Sequence, residues 1–408
     1  MTQTSLALPT GRDENWRYAA LRPVTQLNWG EPSPEWTTDV EAQVAALLPP
    51  RLAGSRRLVL FAGRVVPALS DGITIGSSRG KLADALTLEC LENEAPSGPS
   101  TLDIDQRFAD LNRQHATQTL RLTLSTQGDA HPIEIIHIAS GVSHPAIELV
   151  LPAEASAQII ERQLSRGEIA SATNLRLDIH LGSRAKLHLA RLLQCGTQAQ
   201  HIETLNIGLA DGAELDYTQI SLSAGNARST ALIEHANESQ VNWQASALAA
   251  GRQVFDHYVL TRHAQRGART QQTFRGIASE QSRLAFNGHM QVTKSGLQSD
   301  LQQSLKCLLD GTRAEANVRP QLEIYTDVVS ASHGATVGKL DRDMLFYLLS
   351  RGIDPMTAES LLKWAFISDV LTKLPMGLRE QIELALLDRL PGAIASPAAN
   401  APTHESQR

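Results

Sequence analysis

The clearest feature of the sequence is a period-two alternation of apolar and polar residues in its middle part. Leu175, Leu177, Ile179 and Leu181 alternate with polar residues, and a Gly-Ser-Arg turn follows at once. The same pattern resumes at Leu187 and returns several times up to about residue 337. Because alternation of this kind buries one face of a strand, the stretch predicts an all-β architecture of short strands.

The alternation alone leaves two β architectures open. A sandwich usually shows hairpin turns of the Asn-Gly type, and few of these occur here. A β-helix, in which successive short strands coil around one core, fits equally well, although the sequence has no strict repeat.

The N-terminal part mixes short elements. A capping box from Thr38 to Glu41 predicts the start of a helix, and Pro49 ends its apolar spacing. The apolar run from Leu58 to Val66 is interrupted by Gly63, which predicts a hairpin or a bent strand.

Helical spacing replaces the alternation near the C-terminal end. Asp341 and the pair Asp354-Pro355 are N-cap signals, and Pro375 separates a third apolar helix. The apolar surface of these helices forms either a small core of their own or a docking surface for another protein. We therefore divide the chain into a mixed α/β region (1–145), a β core (146–340), a helical region (341–391) and a tail expected to be disordered (392–408).

Composition and charge exclude several classes of function. The chain has 37 basic and 43 acidic residues, a net charge of −6 and no long basic tract, so neither nucleic acid nor an anionic membrane is an expected partner. No apolar run is long enough to span a membrane, and the first residues lack the pattern of a signal peptide. We expect a cytoplasmic protein.

Motifs of enzyme chemistry are also missing from the sequence. We find no phosphate-binding loop, no dinucleotide fingerprint, no nucleophile elbow and no metalloprotease motif. Cys90, Cys195 and Cys307 lie far apart, without a Cys-x-x-Cys pair, so a disulfide framework or a self-contained cluster site is not expected. The chain is therefore predicted not to be an enzyme and to hold no cofactor by itself.

The segment from Pro320 to Ile353, PQLEIYTDVVSASHGATVGKLDRDMLFYLLSRGI, resembles the C-terminal region of the SufB/SufD family. It matches that family's Pro-x-Leu-x-Ile strand, its Ser-His-Gly-Ala-Thr-x-Gly segment and the later Leu-Asp, Phe-Tyr and Arg-Gly-Ile landmarks. The element from Glu14 to Tyr18 resembles the N-terminus of SufD-like members. Chain length and this element favour the SufD-like branch over the longer, cysteine-richer SufB branch.

The resemblance implies both a fold and a function. The fold is mainly β: a right-handed parallel β-helix with an N-terminal mixed helix and strand region and a C-terminal α-helical region. The function is that of a non-catalytic scaffold in the SUF machinery for iron–sulfur cluster assembly. Such a scaffold pairs with SufB through the β-helix and docks SufC, an ABC-type ATPase, through the C-terminal helices. A transient iron–sulfur cluster then forms near the interface of the assembled complex.

One departure from the family motif affects the candidate site. The family's cysteine before Ser-His-Gly is Ala331 here, which offers no donor atom. His333 is therefore the candidate metal ligand, with further ligands from the partner, although a structural histidine in a tight turn stays open. Candidate ATPase contacts are five apolar residues of the helical region: Leu345, Phe346, Leu361, Trp364 and Phe366.

Two other functions stay open at this point. A β-helix enzyme acting on polysaccharides would need clustered carboxylates in a groove and usually an export signal, and neither is evident. A purely structural interaction protein would differ from the scaffold only in not responding to ATP.

Overall fold

The structure is a computed structural model, and it describes residues 7–31, 36–71, 79–83, 86–91, 105–124 and 131–390. From Ala146 onward, successive strands alternate between two sheets, which is the path of a parallel β-solenoid of about 7 turns. This confirms the β-helix and rules out the sandwich. The tail that is expected to be disordered lies outside the described residues.

The order of elements along the chain is the expected one: a mixed N-terminal region, a long series of strands and a C-terminal group of helices. The strands are β1 (Arg56–Phe61), β2 (Arg64–Val65), β3 (Arg79–Ala83), β4 (Leu86–Leu91), β5 (Thr119–Leu124), β6 (Ile133–Ala139), β7 (Gly141–Ser143), β8 (Ala146–Leu151), β9 (Ser156–Ser165), β10 (Ser171–Leu181), β11 (Lys186–Gln194), β12 (Ala199–Leu209), β13 (Glu214–Ser223), β14 (Asn226–His235), β15 (Gln240–Ala249), β16 (Val254–His263), β17 (Arg269–Ser279), β18 (Arg283–Val292), β19 (Ser299–Asp310), β20 (Glu315–Ile324) and β21 (Val329–Gly338). The α-helices are α1 (Leu21–Thr25), α2 (Thr38–Leu47), α3 (Arg107–His115), α4 (Arg342–Ser350), α5 (Pro355–Leu371) and α6 (Met376–Leu387).

Two sheets enclose the core. The first sheet runs in the order β2-β1-β6-β9-β11-β13-β15-β17-β19-β21, and the second in the order β20-β18-β16-β14-β12-β10-β8-β5-β4-β3. The pairings from β6 and β8 onward are parallel and almost entirely in register. As a result, each inward side chain stacks on its equivalent in the next turn.

The interior follows the predicted alternation. Leu177, Leu205, Ala231 and Val259 occupy one such column across four successive strands of the second sheet. All four are buried in the main hydrophobic core, together with the other alternating leucines and isoleucines of β10. Burial of one face of each strand accounts for most of the apolar residues in the middle part of the sequence.

One corner of the solenoid repeats a backbone conformation rather than a sequence. At six successive passages from the second sheet to the first, a residue has a positive φ of 56° to 73°, and its N–H donates to a carbonyl of the next turn. This stacked corner is formed by Glu154, Arg184, Gly212, Glu238, Gly267 and Gln298.

The helices α5 and α6 pack on the outer face of the first sheet. Ile367 and Leu386 share one buried cluster with the outward-facing Ile160, Ile220 and Leu222. Polar contacts reinforce this packing, because Lys363 Nζ lies 2.8 Å from Asp310 Oδ2 in β19. An independent core of the helical region is therefore wrong for α5 and α6, whose apolar faces need the sheet.

The N-terminal part covers the outer face of the second sheet. Trp16 and Trp29 pack around Phe108 of α3, and Trp16 Nε1 donates to Asp105 Oδ2 at 2.6 Å. The predicted hairpin is confirmed, because β1 pairs antiparallel with β2. The N-cap of α2 is Thr37, whose side chain accepts from Val40 N, and not Thr38 as the capping box predicted.

No helix in the described ranges is long and apolar enough to cross a membrane.

Candidate site at the open end of the solenoid

The last turn of the solenoid is not covered by a further turn. Among the residues that the structure describes, β20 ends the second sheet and pairs only with β18, while β21 ends the first sheet and pairs only with β19. Every residue of β21 from 330 to 337 is exposed. One edge of each terminal strand therefore presents backbone N–H and C=O groups without a neighbouring strand.

His333 ends an interior column of large side chains. Trp243, Gln272, Gln303 and His333 are successive register partners on β15, β17, β19 and β21. Tyr217 precedes them in the column and stacks on Trp243 with ring centroids 3.6 Å apart. The first four side chains in this column are 0–5% exposed, whereas His333 is exposed because no turn follows.

The geometry corrects one expectation about His333. Residues 332–334 lie within strand β21 and not in a tight turn. Gly334 has no neighbour within 4 Å of an added Cβ, so no close approach requires glycine there. Among the described residues, the side chain of His333 makes no hydrogen bond or ion pair. The expectation that a tight turn holds the imidazole of His333 is therefore wrong.

Ala331 lies on the same side of β21 as His333, and no cysteine of this chain replaces the missing thiol there. Ala331 pairs with Leu301 on β19, whereas Cys307 pairs with Val337. These positions are six residues apart along the strand, or roughly 20 Å. Burial also raises the pKa of the Cys307 thiol to about 12, which disfavours the thiolate that binds metal.

The helix α4 follows the last strand directly and carries an exposed apolar face. It begins after Asp341, whose carboxylate accepts from Met344 N as the sequence predicted. Phe346 is 72% exposed, Met344 58% and Tyr347 56%. We call these three residues the α4 face. Met344 and Tyr347, three residues apart, lie on one side of the helix, and Phe346 projects roughly 100° from Tyr347. Exposed aromatic and methionine side chains of this kind are typical of interaction surfaces.

The predicted ATPase contacts do not form one exposed surface. Phe346 belongs to the α4 face, but Leu345, Leu361, Trp364 and Phe366 are half-buried. Trp364 and Phe366 pack against the core that α5 and α6 share with the first sheet. Met344 and Tyr347 are not among the predicted contacts, although both lie close to Phe346 in the same short helix.

A fully enclosed ion network lies deeper in the solenoid. The guanidinium of Arg191 on β11 contacts both Glu161 and Glu203, and His201 Nε2 lies 3.0 Å from Glu203 Oε2. These side chains are 2–4% exposed. Burial alone would raise the pKa of Glu203, but Arg191 and His201 hold it well below the ordinary value. Since no solvent reaches it, the network serves the fold and not the surface.

No group of three histidine, cysteine or acidic side chains in the described ranges is arranged to hold a metal ion. His333 offers one imidazole at the exposed end of a rigid column. An imidazole nitrogen is a suitable ligand for iron, and one such donor supplies part of a coordination shell.

Comparisons with known proteins agree with this geometry. The family model for the SUF system FeS cluster assembly SufBD core domain matches residues 135–366, which run from β6 into α5. The chain is 29% identical to the iron–sulfur cluster assembly protein SufD of Escherichia coli over 94% of this chain and 90% of that protein. It is 26% identical to an iron–sulfur cluster assembly SufBD family protein of Synechocystis over 91% of this chain and 85% of that protein. The chain belongs to the SufBD family of SUF-system iron–sulfur cluster assembly proteins.

Proposed function

We propose that this chain is a non-catalytic, SufD-like scaffold subunit of the SUF assembly complex. It pairs with a SufB subunit through the open last turn, docks the SufC ATPase through α4, and contributes His333 to the assembly of a transient cluster. The observation that carries this proposal is the uncovered last turn, whose final strand is followed after three residues by α4 with its exposed apolar side chains. Family membership leaves the polysaccharide-acting alternative without support.

The open last turn supports pairing with a second solenoid. Both sheets end there in strands with a free edge, and strand addition to such an edge forms a continuous ladder of main-chain hydrogen bonds. Apolar side chains flank the edge, since Tyr325 is 58% exposed, Val328 49% and Val337 41%. Covering these side chains on pairing would add apolar burial to the hydrogen bonds.

The link between β21 and α4 supports a response to ATP. β21 ends at Gly338 and α4 begins at Arg342, so only three residues separate the proposed ATPase contact from the proposed pairing strand. A rigid-body shift of α4 is therefore transmitted to the strand that carries His333. This response distinguishes the scaffold from a purely structural interaction protein.

The cluster is cargo in this proposal, not a resident cofactor. His333 would supply one neutral imidazole, and the partner would supply the cysteine and carboxylate ligands that this chain lacks at Ala331. The complex is expected in the cytoplasm, where the three unpaired cysteines stay reduced.

Co-purification of a tagged chain with SufB and SufC tests the two surfaces separately. Phe346→Asp should abolish SufC binding and leave SufB pairing intact, because its ring is exposed on α4. Val337→Asp should weaken SufB pairing and leave SufC binding intact. Gln302→Asp is the control, since Gln302 is exposed on the outer face of the neighbouring β19. Normal binding of both proteins by both variants would refute the assignment of these surfaces.

The role of His333 needs a third measurement. His333→Ala should impair cluster assembly by the purified three-protein complex without changing its composition. Anaerobic reconstitution followed by iron and sulfide determination measures this. Full assembly by the variant complex would contradict the ligand role and leave the pairing and docking surfaces unaffected.

A further inference from the structure

The buried amides behind His333 form an oriented chain. Gln303 Nε2 donates to Gln272 Oε1 at 2.7 Å and to the carbonyl oxygen of Gly288 at 2.8 Å. Both N–H groups of the Gln303 amide are therefore used, and the backbone carbonyl of Gly288, which can only accept, fixes which end of the amide is nitrogen. Gln303 Oε1 is fully buried and has no hydrogen-bond partner among the described residues. Such a buried acceptor can take a hydrogen bond from a neighbouring donor.

The fold makes room for this arrangement at one specific position. A Cβ at Gly288 would lie 2.2 Å from Gln272 Oε1 and 2.5 Å from Gln303 Nε2. Gly288 has no positive φ, so its backbone does not require glycine. Glycine is therefore required at position 288 of β18 because the amides of Gln272 and Gln303 occupy the space that a side chain would fill.

His333 is the next residue in the same column. It is the register partner of Gln303 on the neighbouring parallel strand, so the pleat directs both side chains to the same face of the first sheet. Its imidazole is exposed and makes no hydrogen bond among the described residues. Paired strands lie roughly 4.8 Å apart, so the imidazole of His333 is the neighbouring group in the column from which a ring N–H can approach the free oxygen of Gln303.

We propose that Gln303 is a positioning residue for His333: its buried Oε1 accepts one ring N–H and thereby fixes the tautomer that presents the other ring nitrogen, with its lone pair, to the open end. This inference rests on the proposed function, in which His333 is a ligand. Metal-binding histidines generally donate their second nitrogen to a carbonyl or carboxylate that orients the ring.

The expected size of the effect follows from the strength of one hydrogen bond. A neutral imidazole carries one N–H and one lone pair, and a single ordinary hydrogen bond corresponds to a roughly fivefold preference for the tautomer that makes it. Without Gln303 Oε1, His333 should show the tautomer ratio of an exposed histidine in a peptide.

The test uses the full-length chain labelled with ¹⁵N-histidine, at a pH of about 8, which is above the ordinary pKa of histidine side chains in peptides. The ¹⁵N shifts of the ring report the tautomer ratio, and His333→Ala assigns the signals. Gln303→Met keeps the side-chain length but removes the acceptor, so the preference should be lost. Gln302→Met, on the same strand but exposed to solvent, should change nothing.

Folding of the variants is checked by thermal melting. If Gln303→Met does not fold, Gln272→Met replaces it, because this change leaves Gln303 in place but frees its amide to flip, and the preference should weaken. A tautomer ratio that does not depend on either glutamine overturns the positioning role. Full cluster assembly by a His333→Ala complex, together with a Gln303-dependent tautomer, would instead overturn the ligand role and leave the positioning role standing.

Discussion

Replacing Arg191 by methionine should be among the most destabilising single changes in this solenoid. Methionine keeps most of the length and apolar volume of the side chain but removes the positive charge. Arg191 is 3% exposed, and its Nη2 lies 2.9 Å from Glu203 Oε2 while its Nε contacts Glu161. The variant therefore leaves two carboxylates in the core without their cation.

The size of the loss follows from burial. Removing one partner of a buried ion pair leaves an uncompensated charge and costs about 3–5 kcal/mol. Lys186→Met is the matched control, because Lys186 lies on the same strand and its pair with Glu214 is 54% and 44% exposed at the two side chains. Loss of such a surface pair should cost less than about 1 kcal/mol.

The pH dependence identifies the cause. In the wild type the pKa of Glu203 is lowered on folding, so its contribution to stability is present above the unfolded-state pKa of about 4.3 and is lost as the pH falls toward the folded-state pKa. Without Arg191, burial dominates and raises the carboxyl pKa above its unfolded value. Protonation then relieves the buried charge, and the difference between variant and wild type should shrink on acidification.

Urea unfolding at two pH values, followed by tryptophan fluorescence and far-UV circular dichroism, measures both effects. A triple variant that combines Arg191→Met with Glu161→Gln and Glu203→Gln should recover much of the lost stability, because it leaves no charge behind. The reasoning is refuted if Arg191→Met costs less than about 1 kcal/mol at neutral pH. A penalty that grows on acidification would refute it equally.

Three further predictions concern the core and its cover. Gly288→Ala should lower the free energy of unfolding by about 1–3 kcal/mol through overpacking against the two amides, and an unchanged melting temperature would contradict this. Deletion of residues 341–408 should expose the outer face of the first sheet and increase binding of a hydrophobic dye. The control Phe346→Ala should not increase dye binding, because Phe346 lies outside that core. Equal dye binding by the wild type and the deletion variant would count against the shared core. The wild type should lose stability as the pH falls from about 6.5 toward 4, because burial lowers the folded-state pKa of four histidines to about 4. Melting temperatures measure this loss, and a melting temperature that is constant across this range would contradict the prediction. These histidines are His137, His144, His257 and His263.

The sequence predicted the local elements better than the path of the chain. The alternation in β10 identified its buried face, and the caps at Asp341 and Asp354 are confirmed by hydrogen bonds from the first helical turn. The hydrophobic pattern could not distinguish a sandwich from a solenoid, because the stacked corner repeats a backbone conformation and not a sequence. Only Gly212 and Gly267 among its six residues are glycines, so the repeat is hidden from composition.

The candidate site shows a similar division. The motif pointed to His333, but its place at the end of a column depends on register between strands about thirty residues apart, which no local pattern encodes. The signal for the ion network was present, because Arg191 occupies an inward position between Leu189 and Leu193. Its partners Glu161 and Glu203 become apparent only when the strands are stacked.

The open last turn affects the concentration at which this chain stays in solution. An uncovered pair of strand edges can pair with any compatible strand, including the same edges of a second copy of this chain. Copies produced in excess of their partner would therefore associate with one another as their concentration rises. If the chain pairs with SufB as proposed, balanced synthesis of the two subunits would therefore protect the solubility of both. On this argument the amount of chain that stays in solution depends on the supply of its partner, and overproduction of one subunit alone should yield precipitate where co-production yields complex.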